Sequence, residues 1–77
     1  MINLNVLQEC VNNKESFFKI IKGKNIKLII EKYQFLPYFD IRVINLSGTY
    51  VINWYQKLDP FDTYNMIQEL LISDNQQ

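Results

Sequence analysis

The stretch of residues 38–55, YFDIRVINLSGTYVINWY, constrains the fold of this chain more than any other part of the sequence. β-branched and aromatic residues, which favour strands, crowd both of its ends. Between them lie Leu46, Ser47 and Gly48, a combination that is typical of a tight turn. The stretch therefore predicts a β-hairpin, and the rest of the chain has to supply further strands and the helices that cover the sheet.

Two more strands are predicted ahead of this hairpin. Apolar residues alternate with other residues over residues 26–33, as they do in a strand with one buried face. Residues 15–22, ESFFKIIK, fit a strand and also fit the spacing of an amphipathic helix. We favour the strand, because residues 22–25, Lys-Gly-Lys-Asn, make a suitable hairpin turn, and we keep the helix as the alternative.

A short first helix is predicted over residues 3–12. Leucine and valine recur there at i, i+3 and i+7, which places them on one helical face. Asn3 or Asn5 is the expected N-cap, since an asparagine side chain accepts a hydrogen bond from a free N–H of the first turn.

The second predicted helix, residues 59–72, has the clearest start in the chain. Asp59 is its expected N-cap, and Pro60 suits the first helical position. Its broad apolar side is expected to pack across the sheet and consists of Phe61, Tyr64, Ile67, Leu70 and Leu71. Residues 73–77 are expected to form a disordered tail.

Together these elements predict a single small α+β domain over residues 1–77. Its antiparallel sheet has three to four strands, with the C-terminal amphipathic helix packed on one face. The short N-terminal helix is expected at an end of the sheet or on its other face. A chain of 77 residues forms one domain at most and buries only roughly 60% of the surface of its unfolded state.

Alternation along the strands assigns side chains to two faces of this sheet. The core face is predicted to carry Ile26, Leu28, Ile30, Phe39, Ile41, Val43, Tyr50, Ile52 and Trp54. The other face is predicted to bind a partner, with Ile29 beside the candidate binding residues Tyr33, Tyr38, Arg42, Ile44, Val51 and Tyr55. Aromatic residues and arginine are enriched at the centres of protein interfaces. As alternatives, the first helix covers this face, or it is an ordinary solvated surface.

A single-stranded nucleic acid is the alternative partner. Its phosphates would contact lysines of a basic hairpin, Lys19, Lys22, Lys24, Lys27 and Lys32, while tyrosines of the sheet stack on bases. The net charge of zero, the single arginine and the assignment of Trp54 to the core make this interpretation weaker than protein binding.

The sequence offers no residues for ordinary catalysis. Histidine, the usual general base and the commonest metal ligand, is absent. Cys10 is the single cysteine, which excludes a usual zinc site and an intramolecular disulfide. Gly23 and Gly48 stand alone and form no phosphate-binding loop. We therefore expect neither enzymatic activity nor a cofactor or metal ion.

Composition favours one class of binding protein. The chain lacks alanine and is rich in Ile, Asn, Lys, Tyr and Phe, whose codons are mostly A/T-rich. Short chains from low-GC genomes are common in phages and other mobile elements. The expected function is therefore a phage or mobile-element inhibitor that binds and blocks a larger host or defence protein. A structural homodimer is a further alternative, since a small core gains by sharing apolar surface.

The expected location is the cytoplasm. The first residues have no basic stretch followed by an apolar one, as a signal peptide would. The longest apolar runs are too short to span a bilayer, so no membrane partner is expected.

Overall fold

The computed structural model describes residues 2–76, which form two helices and four strands. In chain order these are α1 (Leu4–Asn12), β1 (Phe17–Lys22), β2 (Ile26–Lys32), β3 (Phe39–Asn45), β4 (Val51–Leu58) and α2 (Pro60–Asn75). Each strand pairs antiparallel with the next, in the order β1-β2-β3-β4. The predicted α+β fold is confirmed, and residues 15–22 contribute a strand rather than the alternative helix.

Both helices pack against the same face of the sheet. The buried core joins residues of the helices to residues on one side of the central strands, and its members are Ile2, Leu7, Cys10, Leu28, Ile30, Phe39, Ile41, Val43 and Ile67. The two helices also contact each other. Removal of these side chains from water is the main term that stabilises the fold. The described chain therefore has two layers, and the second face of its sheet is left to solvent.

The helices begin at the predicted caps. Asn3 Oδ1 accepts a hydrogen bond from the N–H of Val6 at 2.9 Å. Asp59 Oδ1 accepts one from the N–H of Asp62 at 2.7 Å, and Pro60 occupies the first helical position. Each cap satisfies a donor that has no partner within its own helix.

α2 is longer than predicted, because it continues through Asn75. Its last turn contains Asp74, a buried residue that the sequence analysis assigned to a disordered tail. The carboxylate accepts hydrogen bonds from the backbone N–H groups of Lys24 and Asn25, the second at 3.0 Å. These bonds hold the end of α2 against the β1–β2 turn, so this part of the tail is helical. Gln77 lies outside the described residues.

Several side chains of β4 do not point to the faces that alternation predicted. Tyr55 pairs with the fully buried Ile41 and packs against the core. Trp54 lies on the opposite face and is 52% exposed, so its assignment to the core is wrong. The same assignment is wrong for Tyr50 and Ile52, which are exposed.

A β-bulge in β4 causes this difference for Trp54 and Tyr55, whereas Tyr50 lies in the turn before the strand. Ile44 pairs with Val51, whereas Val43 pairs with Asn53, so Ile52 is an extra residue with no partner of its own. One extra residue shifts the alternation by one position, and the side chains after it move to the other face. The sequence prediction assumed an uninterrupted strand and therefore inverted residues 53–55. A second register shift, between the pairs that Ile41 and Phe39 form, restores the original phase at Leu58.

Cys10 is a buried core residue, and we expect its thiol to react slowly in the folded protein. Burial raises the pKa of the thiol, Glu15 and Glu9 raise it further, and Lys32 opposes them. A raised pKa leaves less of the reactive thiolate at neutral pH. Reaction with a colorimetric disulfide reagent at pH 7 should be at least about tenfold slower than for the same protein in urea, because attack also requires local opening.

The matched control for this thiol is a Cys10→Ser, Ser47→Cys double variant, which moves the only thiol to an exposed turn. That thiol should react at similar rates in buffer and in urea. Equal rates for native Cys10 and the exposed thiol would show that Cys10 is accessible and not part of the core.

Candidate protein-binding surface

The sheet face that neither helix covers, which we call the open face, is organised in three rows of cross-strand neighbours. The middle row contains Ile20, Ile29, Arg42 and Trp54. The basic row, beside the β1–β2 turn, contains Lys22, Lys27, Ile44 and Val51. The acidic row, at the other end of the strands, contains Phe18, Glu31 and Asp40. Apolar side chains thus occupy all three rows, and the charged side chains differ between the ends.

Large apolar side chains on the open face remain in contact with solvent. Phe18 is 64% exposed, and Ile20 and Val51 are about as exposed as Trp54. Ile29 and Ile44, on the central strands, are half-buried by their neighbours within the sheet. None of these residues belongs to the described core or packs against it. Contiguous exposed apolar surface of this kind marks interaction sites in soluble proteins.

An ion pair holds the one arginine at the centre of the open face. Arg42 Nη2 donates a hydrogen bond to Glu31 Oε1 at 2.9 Å, and both side chains are partly buried. Arg42 Nε is buried and has no hydrogen-bond partner among the described residues. Ion pairs at a protein surface typically contribute at most about 1 kcal/mol to stability, because water screens them. The main effect of the pair is to make the middle of the face nearly neutral and to fix the guanidinium over it.

The loop between β2 and β3 extends the open face beyond the acidic row. Tyr33 and Tyr38 are exposed in this loop. A shallow depression joins them to the sheet, and it is lined by Glu31, Tyr33, Leu36, Tyr38, Asp40, Gln56 and Lys57. The aromatic surface of the loop is therefore continuous with the face.

The structure brings together most of the predicted partner-binding residues. Arg42, Ile44 and Val51 lie on the open face, and Tyr33 and Tyr38 adjoin its acidic end. Tyr55 does not belong to the surface, because the bulge turns it towards the helices.

Sequence reasoning missed three exposed members of the open face. Trp54 reaches it only because of the bulge. Phe18 and Ile20 belong to β1, and alternation within β1 would have placed them together, away from Phe17 and Ile21.

The five lysines of the nucleic-acid interpretation do not form one track. Lys32 is buried, and its Nζ donates to the backbone carbonyls of residues 15, 33 and 34 at 2.6, 3.0 and 3.3 Å. It is therefore unavailable to phosphate, and its inclusion was wrong. Lys19 pairs with Ile30 and lies on the helix-covered face, while Lys22 and Lys27 lie on the open face. Lys24 lies in the β1–β2 turn, and its backbone N–H donates a hydrogen bond to the carboxylate of Asp74, in the last turn of α2.

Two classes of site are not found among residues 2–76. No three cysteine, aspartate or glutamate side chains come together in a way that would hold a metal ion. Neither α1 nor α2 combines the length and the hydropathy that a transmembrane helix requires.

Comparisons with protein-family models, with curated proteins and with solved structures found no match. The function is therefore inferred from the surface of this chain itself.

Proposed function

We propose that this chain is a non-enzymatic protein-binding module that docks its open face onto an apolar surface of a larger protein. The observation that supports this most is the chemistry of the face. An antiparallel sheet with one solvated face normally carries polar side chains on that face. Here both sides of β1 are largely apolar, and Trp54 stands on the solvated side of the edge strand β4. A partner that covers this surface would remove it from water.

The size of the face indicates which residues the partner contacts. Four strands about 4.8 Å apart and three rows about 7 Å apart give a flat footprint about 20 Å long on each side, or roughly 400 Å² in area. A stable complex usually buries about 800 Å² on each partner, which is more than this footprint. We therefore include Tyr33, Leu36 and Tyr38 of the adjoining loop, which are exposed and continuous with the face.

In its more specific form, the proposal is that the chain is a phage or mobile-element inhibitor that blocks a larger host or defence protein in the cytoplasm. The small size and the A/T-rich codon usage implied by the composition support it. A blocking protein needs only a surface that covers a functional region of its target. Aromatic side chains on a sheet are suited to this, because packed regular structure limits the ordering entropy lost on binding.

Trp54→Ala tests the proposal, with Phe61→Ala as the matched control. Both residues are exposed aromatics, at 52% and 58%, but Phe61 lies on α2 across the sheet from the open face. Loss of a central aromatic anchor typically reduces the binding free energy by at least about 2 kcal/mol, or about 30-fold in affinity. Tagged wild type and Phe61→Ala should retain the same protein from an extract of the native cell, and Trp54→Ala should lose it.

The retained protein is then purified and titrated against all three forms by calorimetry. Saturation at a fixed stoichiometry, with the affinity lost in Trp54→Ala alone, is the expected result. Equal affinities for the two alanine variants would exclude the open face as the docking surface. Failure of wild type to bind any protein, from extract or purified, would contradict the proposal itself.

A single-stranded nucleic-acid binder is the second candidate, and one observation favours it. The bulge places Trp54 on the same face as Lys22 and Lys27, and stacked aromatics beside cations bind single strands. Glu31 and Asp40 on that face would repel phosphates, and the chain has no net charge. Salt-dependent binding of oligonucleotides without any protein partner would replace the first proposal by this one.

A further inference from the structure

The open face carries opposite charges at its two ends. Lys22 and Lys27 pair across β1 and β2 in the basic row, while Glu31 and Asp40 pair across β2 and β3 in the acidic row. Along β2 the two rows are four residues apart, or about 13 Å. Between them lies the middle row, in which the apolar Ile20, Ile29 and Trp54 accompany Arg42.

These charges are only partly compensated within the chain. Lys22 and Lys27 face each other directly, and such like-charged pairs destabilise a sheet. Neither lysine side chain forms a hydrogen bond or ion pair with any residue of the described range 2–76. At the other end, the one donor to Asp40 within residues 2–76 is the backbone N–H of Lys57, at 3.2 Å. Glu31 forms its ion pair with Arg42, and the second oxygen of its carboxylate remains available to a further cation. Each end therefore favours a partner surface of the opposite sign.

A second copy of this chain provides such a surface at both ends at once. A twofold axis that runs along the middle row, across the strands, turns the second copy over and reverses its strand direction. The basic row of each copy then lies above the acidic row of the other, and each middle-row residue faces its own counterpart. The two Arg42 side chains therefore approach each other on the axis, where Glu31 of each chain offsets their charge. Lys27 of each copy faces Glu31 of the other, because both lie on β2 at equal distances from Ile29. Two sheets pack face to face in this way about 10 Å apart.

We propose that the free chain pairs with a second copy, open face to open face, in this arrangement. The inference rests on the proposed function in one respect, since the same face serves both contacts and a docked partner excludes the second copy. The dimer covers the apolar rows while the partner is absent, and it dissociates when the partner binds. Because the sheet footprint is small, the association is expected to be weak and reversible.

Two charge-reversed variants, Lys27→Glu and Glu31→Lys, test the arrangement by sedimentation equilibrium of the full chain at low salt. Wild type should sediment as a dimer that dissociates on dilution. Each variant alone places like charges at both contacts, and its dimer should be at least about tenfold weaker. An equimolar mixture restores an opposite-charge pair at each contact, so the mixture should associate more tightly than either variant alone.

Lys19→Glu is the matched control, because it reverses an exposed lysine of β1 on the helix-covered face. Its dimer should be as stable as that of wild type, and circular dichroism should show that all variants are folded. The weakest specific complexes have dissociation constants of about 1 mM. Wild type that stays monomeric up to that concentration would therefore overturn the proposal. So would a mixture that associates no more than its components.

The two proposals fail separately. Wild type that binds its partner but never dimerises would overturn the dimer alone. A dimer that passes the mixing test while wild type retains no protein would contradict the proposed function alone. Where both hold, adding the purified partner should convert the dimer into a complex that contains a single copy of this chain.

Discussion

Replacement of Lys32 by methionine is expected to lower the free energy of unfolding by about 3 kcal/mol, the largest effect that we predict for a single substitution. Lys32 is only 3% exposed, at the end of β2 and on the helix-covered face. An ammonium group has three donors, and Nζ directs them at three backbone carbonyls. Methionine keeps the length and the apolar stem of the side chain but donates to none of these carbonyls. Those of Glu15 and Gln34 lose the ammonium donor, while that of Tyr33 still accepts from the N–H of Leu36 at 3.3 Å.

The position of the three carbonyls explains why the effect should be large. One belongs to Glu15, just before β1, and the others belong to Tyr33 and Gln34, just after β2. Lys32 therefore joins the segment that leaves α1 to the loop that leads into β3. Each unsatisfied buried polar group typically lowers stability by about 1–3 kcal/mol, less where water can reach it. Because water partly hydrates the carbonyls of the exposed loop, the total loss in the free energy of unfolding should stay near about 3 kcal/mol.

Lys19→Met is the matched control for this prediction. Lys19 lies on the same face of the sheet, but it is exposed at the edge strand β1. Its replacement should change stability by no more than about 0.5 kcal/mol, as is usual for exposed sites. Urea unfolding followed by circular dichroism measures both variants. Equal midpoints for the two would show that the Lys32 ammonium reaches solvent and makes no structural contribution.

The burial of Lys32 could have been predicted from the alternation of residues along β2. Strict alternation from Ile26 through Leu28 and Ile30 places Lys32 on the core face. Its positive charge suggested a phosphate contact, although a lysine at that position could equally reach backbone carbonyls beside the strand end. The charge of Lys32 suggested an exposed residue that binds phosphate, whereas its position in the strand indicated a buried residue that binds backbone carbonyls. The position in the strand gave the correct answer.

Local signals predicted most of the fold. Capping residues fixed the starts of both helices, and alternation fixed β2 and β3, because each of these depends on neighbouring residues alone. The side of the sheet on which α1 packs depends instead on contacts with α2, which lies at the other end of the chain. The end of α2 similarly depends on the turn that Asp74 meets 50 positions earlier in the sequence. Long-range contacts of this kind leave no local pattern.

The candidate surface was predictable on β3 and only in part on β4. Arg42 and Ile44 follow from the regular alternation of β3. Trp54 lies on the open face and Tyr55 on the core face, the reverse of the prediction, because the bulge at Ile52 precedes both residues in β4. This reversal strengthens the binding proposal, since tryptophan is among the residues most enriched at the energetic centres of interfaces. It also removes one of the three objections to nucleic-acid binding, the assignment of Trp54 to the core, which is why the oligonucleotide experiment is required.

Asp74→Ala is the second substitution with a large expected effect, a loss of about 2 kcal/mol in the free energy of unfolding. The carboxylate is buried and accepts from the N–H groups of Lys24 and Asn25 in the β1–β2 turn. A negative charge in the last turn of a helix opposes the helix dipole, so its removal recovers a few tenths of a kcal/mol. The two donors left without an acceptor outweigh that gain. Asp74→Asn retains one acceptor oxygen, so its free energy of unfolding should lie between those of Asp74→Ala and wild type.

Asn75→Ala, at the exposed neighbouring position, should change stability by less than about 0.5 kcal/mol. Gly23→Ala tests the same contact from the other side. A Cβ at Gly23 would lie tightly against the backbone carbonyl oxygen of Ile26 and would collide with Asp74 Oδ2, so the substitution should be destabilising in wild type. In the Asp74→Ala background that oxygen is gone, and the same substitution should be less destabilising by at least about 1 kcal/mol, a coupling typical of residues in contact. Purely additive effects in this double-mutant cycle, measured by urea unfolding, would mean that the end of α2 does not rest on the turn.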